Sequence, residues 1–102
     1  MNIRWTKRAK KSANEIGAYI LTTFGEKSFD KFCEELLHVV GLLADSPNLG
    51  RIESLVEHRS KLYRSLVVTK RSKLIYRIDG EIIYIVDVWD TRREPKKLVK
   101  GL

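Results

Sequence analysis

Residues 62–89 read LYRSLVVTKRSKLIYRIDGEIIYIVDVW and decide the fold of this 102-residue chain. β-branched and aromatic residues, which favour strands, are concentrated in three runs: 62–69, 73–78 and 82–89. The runs are separated by the turn sequences Lys70-Arg71-Ser72 and Asp79-Gly80-Glu81. Short turns join antiparallel strands, so the stretch predicts a three-stranded meander. Residues 82–86 are apolar on both faces, which predicts an interior strand covered by helix on one side.

The residues before the meander have helical periodicity. Thr6 is predicted to cap a first helix that ends at Gly25, and Ser28 to cap a second. A short connection between two amphipathic helices predicts an antiparallel helical hairpin. Apolar residues recur at three- and four-residue steps in each helix: Ala9, Ala13, Ile16, Ile20 and Phe24 in the first, and Phe29, Phe32, Cys33, Leu36, Val39, Val40 and Leu43 in the second.

The remaining segments complete an α+β domain. Residues 2–5 form a short apolar and basic alternation, which predicts an edge strand. The breakers Ser46-Pro47-Asn48 and Gly50 predict a loop over 46–60. We expect a single domain over 1–102, because the chain is long enough for one core. In it, the helical hairpin follows a short β-strand and packs on one face of a C-terminal antiparallel sheet, whose other face is polar.

The charge of the chain is unevenly distributed. Its formal net charge is +7 and its sequence pI is about 9.7. Residues 26–57 carry three basic and seven acidic side chains, whereas residues 58–102 carry twelve basic and five acidic ones. This asymmetry favours a surface that binds phosphates or an acidic partner. The alternative is a generally basic surface with no specific partner.

Several classes of site are excluded by the sequence. Cys33 is the only cysteine, so one chain can form neither a disulfide nor a cysteine-based zinc site. The two histidines, His38 and His58, have no carboxylate at ligand spacing, and the GxSxG, P-loop and GxGxxG patterns are missing. No metal or other cofactor is indicated. The N-terminus is charged and no run approaches the length of a membrane span, so we expect a cytoplasmic protein without a membrane partner.

Basic side chains recur along the predicted strands. Arg64 lies on the first strand, Lys73 and Arg77 on the second, and Arg92-Arg93 directly after the third. Neighbouring strands are only about 4.8 Å apart, so bases that share a face would converge and could hold a phosphate or stabilise a phosphoryl transition state. The alternative is a solvated face with scattered bases. The aromatic residues among them could stack on nucleic-acid bases or fill the core: Tyr63, Tyr76, Tyr84 and Trp89.

The order of these segments resembles the RelE/ParE superfamily, the toxins of bacterial type II toxin–antitoxin systems. The resemblance covers nearly the whole chain. It implies a compact toxin that a cognate antitoxin neutralises by wrapping it and covering its working face. Four segments after the helical hairpin carry the resemblance: Ser46-Pro47-Asn48-Leu49-Gly50-Arg51, Leu62-Tyr63-Arg64-Ser65-Leu66-Val67-Val68, Lys73-Leu74-Ile75-Tyr76-Arg77-Ile78 and Val88-Trp89-Asp90-Thr91-Arg92-Arg93-Glu94-Pro95.

The resemblance implies one of two activities. RelE-like members cleave mRNA in the ribosome by attack of a 2′-hydroxyl on the neighbouring phosphate, with sheet bases holding that phosphate and a general acid/base moving protons. ParE-like members keep the fold, lack the nuclease residues and poison DNA gyrase. By position, Arg64, Lys73 and Arg92 or Arg93 match the catalytic bases. Further target-binding positions are Lys61, Arg77, Lys96 and Lys97.

Two departures weaken the nuclease hypothesis. A second base of the first strand falls on Leu66, and the C-terminal tyrosine falls near Leu98 or Val99. General acid/base catalysis typically contributes about 10²–10⁴-fold, so its loss would be costly. His58, Lys61 and Asp90 are possible substitutes. The sequence therefore favours a ParE-like gyrase poison over a RelE-like ribosome-dependent mRNA endonuclease; a non-toxic basic nucleic-acid-binding module or a degenerate toxin is the third alternative.

Overall fold

The structure is a computed structural model that describes residues 1–53 and 61–91. The predicted α+β order is confirmed, with a short strand, a helical hairpin and then a meander. No helix within the described residues combines the length and apolarity needed to cross a bilayer. In chain order the elements are β1 (Asn2–Trp5), α1 (Lys7–Phe24), α2 (Glu26–Asp45), β2 (Arg51–Ile52), β3 (Arg64–Thr69), β4 (Ser72–Asp79) and β5 (Ile82–Asp90).

The five strands form one sheet in the order β1-β5-β4-β3-β2. Strands β2 to β5 pair antiparallel with their neighbours, but β1 pairs parallel with β5. The sheet is therefore mixed: the predicted antiparallel meander of β3 to β5 is confirmed, and β1 adds a parallel strand beside β5. Parallel neighbours need a long connection, which the helical hairpin and the meander together supply. A four-residue strand carries no sequence signal for its direction.

The helix boundaries follow from two caps. Thr6 caps α1 as predicted, because its hydroxyl accepts a 3.1 Å hydrogen bond from the Ala9 amide. Gly25 ends α1, also as predicted, with φ at +93°. The prediction that Ser28 caps the second helix is wrong, since α2 begins at Glu26 directly after Gly25. The left-handed backbone of this glycine turns the chain without a linker.

The loop predicted over 46–60 contains a short strand. Arg51 and Ile52 pair with Ser65 and Arg64 of β3, so β2 is an edge strand of the sheet. Two residues are too few to show a strand period in the sequence. Residues 54–60 lie outside the described part of the chain.

The main core lies between the helices and one sheet face. The apolar stripes of both helices are confirmed, although Phe24 at the end of α1 is 55% exposed. Strand β5 is interior, between β1 and β4, and α1 packs across it, as predicted. The buried residues of this core are Ala9, Phe32, Val39, Leu43, Val68, Leu74, Tyr76, Ile83, Ile85 and Val88.

A second, smaller cluster lies on the sheet face away from the helices. Strand alternation places Ile75 on this face, because its neighbours Leu74 and Tyr76 both belong to the main core. Tyr63, Val86 and Trp89 pack with it and are almost fully buried. The expectation of a polar second face is therefore wrong at its centre. Of the four aromatic residues in this region, Tyr63, Tyr76 and Trp89 are buried and therefore fill the core.

Candidate functional site

We call the sheet face away from the helices the distal face; its strand residues include Lys73, Ile75, Arg77, Tyr84 and Trp89. Residues directly opposite each other in an antiparallel pair point to the same face. Lys73 is opposite Trp89, and Arg77 is opposite Tyr84. Both predicted bases of β4 therefore lie on the distal face.

Arg64 lies on the other face of the sheet. It is opposite Tyr76, which belongs to the main core beneath the helices. Lys73 and Arg77 differ from Tyr76 by odd numbers of residues along β4, so they point the opposite way. The structure thus brings Lys73 and Arg77 to one face but does not bring Arg64 to join them.

Arg64 and Tyr76 hold the loop that leads into β2. Arg64 Nη1 donates a 2.8 Å hydrogen bond to the Gly50 carbonyl. The Tyr76 hydroxyl donates to the Pro47 carbonyl at 2.7 Å and accepts from the Gly50 amide at 2.9 Å. Burial raises the pKa of Tyr76, while the hydrogen bond to Gly50 and the charge of Arg64 act in the opposite direction. Arg64 is therefore engaged in anchoring backbone rather than free to hold a phosphate.

We call the contacts of Arg64 and Tyr76 with residues 47–50 the loop anchor. The loop anchor requires glycine at position 50. A Cβ atom there would lie 2.7 Å from the Tyr76 ring and hydroxyl and 2.8 Å from the Ser65 carbonyl oxygen. The sequence marks Gly50 as a loop breaker, but only the packed structure shows that the close approach of Tyr76 selects it.

A buried ion pair occupies the distal face. Lys73 Nζ lies 2.6 Å from Glu53 Oε2, and the side chains are 21% and 6% exposed respectively. The Glu53 amide donates a 2.8 Å hydrogen bond to the Tyr63 carbonyl, which continues the pairing of β2 with the chain before β3. Glu53 is not among the predicted site residues, because nothing in the sequence indicates that this part of the loop folds onto the sheet. The carboxylate compensates the positive charge of Lys73.

Arg77 is also engaged. Its guanidinium carbon lies 4.4 Å from the centre of the Tyr84 ring, at cation–π distance. Its Nη1 lies 3.2 Å from Asp79 Oδ2, and the Arg77 side chain is 17% exposed. Tyr84 therefore contacts a protein cation, whereas the sequence left open whether it would stack on nucleic-acid bases.

The other predicted site positions divide into two groups. Among the described residues, Lys61 is exposed, Asp90 is half-buried at the end of β5, and Leu66 packs against the main core. Within 1–53 and 61–91, no three His, Cys, Asp or Glu side chains are grouped closely enough to hold a metal ion. The positions that lie outside the described residues, and stay predictions, are His58, Arg92, Arg93, Lys96 and Lys97.

The loop anchor predicts a pH-dependent stability difference. Tyr76→Phe removes a buried hydroxyl with two hydrogen bonds, so we expect it to lower the free energy of unfolding by about 1–3 kcal/mol at pH 8. Because folding raises the pKa of Tyr76, its ionisation favours the unfolded chain. The difference between wild type and Tyr76→Phe should therefore be constant below about pH 10 and shrink as the pH rises further.

Urea denaturation at pH 8, 10 and 11 measures this difference. Tyr84→Phe is the matched control, since it keeps the ring beneath Arg77, and it should change stability by less than about 0.5 kcal/mol. A Tyr76→Phe variant as stable as wild type at pH 8 would show that the two hydrogen bonds of the Tyr76 hydroxyl do not stabilise the fold.

Solved toxin structures share this fold. The chromosomal ParDE TA system from P. aeruginosa is 19% identical, with a TM-score of 0.71 over 88% of this chain and 95% of that chain. The YoeB/ParE toxin from Agrobacterium tumefaciens is 17% identical, with a TM-score of 0.60 over 88% of this chain and 98% of that one. The YoeB dimer from Staphylococcus aureus is 18% identical, with a TM-score of 0.59 over 87% and 94%. These likenesses establish the fold.

Sequence similarity establishes the family. No curated protein is significantly similar to the chain. The family model described as the ParE toxin of the type II toxin–antitoxin system, parDE, matches residues 3–95. That match spans most of β1, both helices and the whole meander. The chain therefore belongs to the ParE toxin family of type II toxin–antitoxin systems.

Proposed function

We propose that the chain stops bacterial growth by binding DNA gyrase, as the ParE-like branch of its superfamily does, and that it does not cleave RNA. The observation that carries this proposal is the buried pair of Glu53 and Lys73 on the distal face. A cation that is already neutralised and largely covered is poorly suited to hold a scissile phosphate.

The placement of the other two strand bases supports the same conclusion. Arg64 is bonded to the Gly50 carbonyl on the helix side of the sheet, and Arg77 is paired with Asp79 and stacked on Tyr84. A ribonuclease of this fold needs several bases around one phosphate together with a proton-transfer group. In the described part of the chain these three bases are dispersed and engaged.

A RelE-like endonuclease is the second candidate, and Glu53 is the observation that favours it. A carboxylate 2.6 Å from a lysine can act as a general base if the pair opens onto a substrate. His58 and Arg92 or Arg93 would then complete the site. A non-toxic or degenerate basic module is the third candidate. Either toxic activity would act in the cytoplasm, where gyrase and ribosomes are found.

Family membership implies an antitoxin partner. A small protein encoded beside the gene for this chain should therefore co-purify with it.

Induction of the chain in growing bacteria separates the three candidates. Pulse labelling with thymidine and methionine should show DNA synthesis falling before protein synthesis, because a gyrase poison blocks replication first. Prior loss of protein synthesis would support the endonuclease. Normal growth after induction would support the non-toxic module. Co-expression with the neighbouring small protein is the matched control, and it should abolish the defect.

A further inference from the structure

The outward surface of α1 is basic over its first two turns. Four polar residues fall within an arc of about 100° around the helix axis, since an α-helix turns by about 100° per residue: Lys7, Lys10, Lys11 and Asn14. We call this surface the lysine face. All four residues are exposed. The stripe of α1 that contains Ala9 and packs on the core lies on the other side of the helix, so the lysine face points to solvent.

The positive charge is a property of α1 and not of both helices. α1 carries four basic residues and one acidic residue, whereas α2 carries two basic and five acidic ones. Among residues 1–53 and 61–91, neither Lys7 nor Lys10 takes part in an ion pair. Lys11 meets Glu15 only at 4.0 Å, with side chains that are 79% and 60% exposed. Such exposed pairs are weak, so all three ammonium groups remain available to a partner.

The start of α1 is fixed to the sheet, which holds the lysine face in place. The Thr6 amide donates a 3.0 Å hydrogen bond to the Ile85 carbonyl, and the Thr6 hydroxyl donates one of 3.3 Å to the Val86 carbonyl. Arg8 Nη2 lies 3.0 Å from Asp87 Oδ2, and the Asp87 side chain is 2% exposed. Arg8 therefore ties α1 to β5, and the lysines beside it are presented from a rigid base.

The composition of the lysine face suits backbone phosphates. Protein–protein interfaces are depleted of lysine and enriched in aromatic residues, and single-stranded nucleic acids are bound by stacking on aromatic rings. The lysine face consists only of polar side chains. Lysine and asparagine are among the side chains that contact the phosphates of a duplex without reading its sequence.

We propose that the lysine face binds the phosphate backbone of duplex DNA. From Lys7 to Asn14 the face spans about 10 Å of helix axis, at about 1.5 Å per residue. Phosphates recur about every 3.4 Å along one strand, so the face reaches about three of them. The choice of DNA over RNA rests on the proposed function, because gyrase acts on duplex DNA. A toxin that contacts this DNA as well as gyrase is held on the complex by both.

The salt dependence of binding reports the number of phosphate contacts. With three contacts, the logarithm of the association constant should fall with the logarithm of the salt concentration at a slope of about −2.7. The affinity should then fall about 40-fold between about 50 and 200 mM salt. Duplexes of different sequence should give the same slope, since contacts to phosphates carry no sequence information.

The test measures the fluorescence anisotropy of a short labelled DNA duplex as the full chain is added, at several salt concentrations. The variant Lys7→Gln/Lys10→Gln/Lys11→Gln removes the charge of the lysine face. Glutamine forms helices about as well as lysine, so α1 is retained.

A charge-matched control removes three exposed lysines elsewhere on the chain. Lys27→Gln/Lys31→Gln/Lys70→Gln lowers the net charge by the same amount, but two of its positions lie on α2 and the third follows β3. Urea denaturation of both triple variants checks that they are folded.

We expect the lysine-face variant to bind the duplex at least about 30-fold more weakly than wild type at low salt, with a slope smaller by about one for each lysine removed. The control should bind less than about threefold more weakly. An equal loss in both variants would show that net charge alone attracts DNA, and it would overturn the proposal. Tighter binding of a single strand or of an RNA duplex than of the DNA duplex would also overturn it.

The anisotropy measurement needs no gyrase. If wild type binds the duplex through the lysine face but leaves supercoiling by gyrase unchanged, the DNA site stands and the proposed function fails. If wild type poisons gyrase and both triple variants bind the duplex equally well, the reverse holds. When both proposals are correct, the lysine-face variant should require more protein than the control to yield the same amount of linear DNA with gyrase.

Discussion

Replacing Lys73 with Met is expected to lower the free energy of unfolding by about 3 kcal/mol. The substitution keeps the apolar stem of the side chain but removes the ammonium group that lies 2.6 Å from the Glu53 carboxylate, which is 6% exposed. Removing one partner of a buried ion pair typically costs about 3–5 kcal/mol, and the 21% exposure of Lys73 puts the expectation at the lower end. Urea denaturation at pH 7 measures the loss.

The double variant Glu53→Leu/Lys73→Met separates the pair from simple packing. Replacing both charges with apolar groups is often close to neutral, so the double variant should recover most of the stability lost in Lys73→Met. Lys10→Met is the control for loss of an exposed lysine and should stay within about 0.5 kcal/mol of wild type. A double variant no more stable than Lys73→Met would show that the two side chains are not coupled.

Gly50→Ala is expected to destabilise the protein by about 2–3 kcal/mol. The new methyl group would lie 2.7 Å from Tyr76 and 2.8 Å from the Ser65 carbonyl oxygen, so either the loop or the sheet has to move. Overpacking of a tightly packed region costs about 1–3 kcal/mol, and here the movement would also stretch the hydrogen bonds of Tyr76 and Arg64 to Gly50.

Gly41→Ala is the matched control for this substitution. Gly41 lies within α2, and an added Cβ would meet nothing within 4 Å. Alanine is favoured over glycine inside a helix, so Gly41→Ala should stabilise the protein by about 0.5–1 kcal/mol. If thermal or urea unfolding shows Gly50→Ala to be as stable as wild type, the close approach of Tyr76 to the loop is not a constraint on the fold.

The elements with strong local signals are the ones that the sequence predicts well. Thr6 and Gly25 bound α1, and Gly80-Glu81 forms the β4–β5 turn with Gly80 at φ +62°. Capping and left-handed turns depend on one or two residues, so their chemistry can be recognised in the sequence. The direction of β1 and the existence of β2 depend on which strands meet in the folded protein, and short segments do not encode this.

The faces of the sheet are harder to predict than its strands. The register of β4 against β5 shifts between Ile75 and Tyr76. The register of β3 against β4 shifts between Val67 and Thr69. Such bulges change the alternation along a strand. Ile83 and Ile85 therefore face the helices together with Val88, although each is an odd number of residues away from Val88 along β5. The alternation of side chains along a single strand does not show which face of the next strand is the same one. It therefore could not show that Arg64 and Lys73 lie on opposite faces.

The candidate site was predicted only in part, because the acidic partners of its bases are brought to them by the folded structure. Lys73 and Arg77 do share a face, but their partners Glu53 and Asp79 determine how much charge they present. Asp79 follows Arg77 by two residues, whereas Glu53 is twenty residues from Lys73 and reaches it only through the pairing of β2 with β3. Such a contact belongs to the tertiary structure, and the sequence contains no local trace of it.

The proposed activity of the chain is binding to gyrase, without cutting of RNA. The most direct measurement incubates the purified free protein with DNA gyrase, plasmid and ATP, followed by detergent and protease to reveal linear DNA. We expect supercoiling to fall and linear DNA to accumulate with increasing protein, while the same preparation leaves mRNA intact on programmed ribosomes. Unchanged supercoiling and no linear DNA, together with cleavage of the ribosome-bound mRNA, would contradict it.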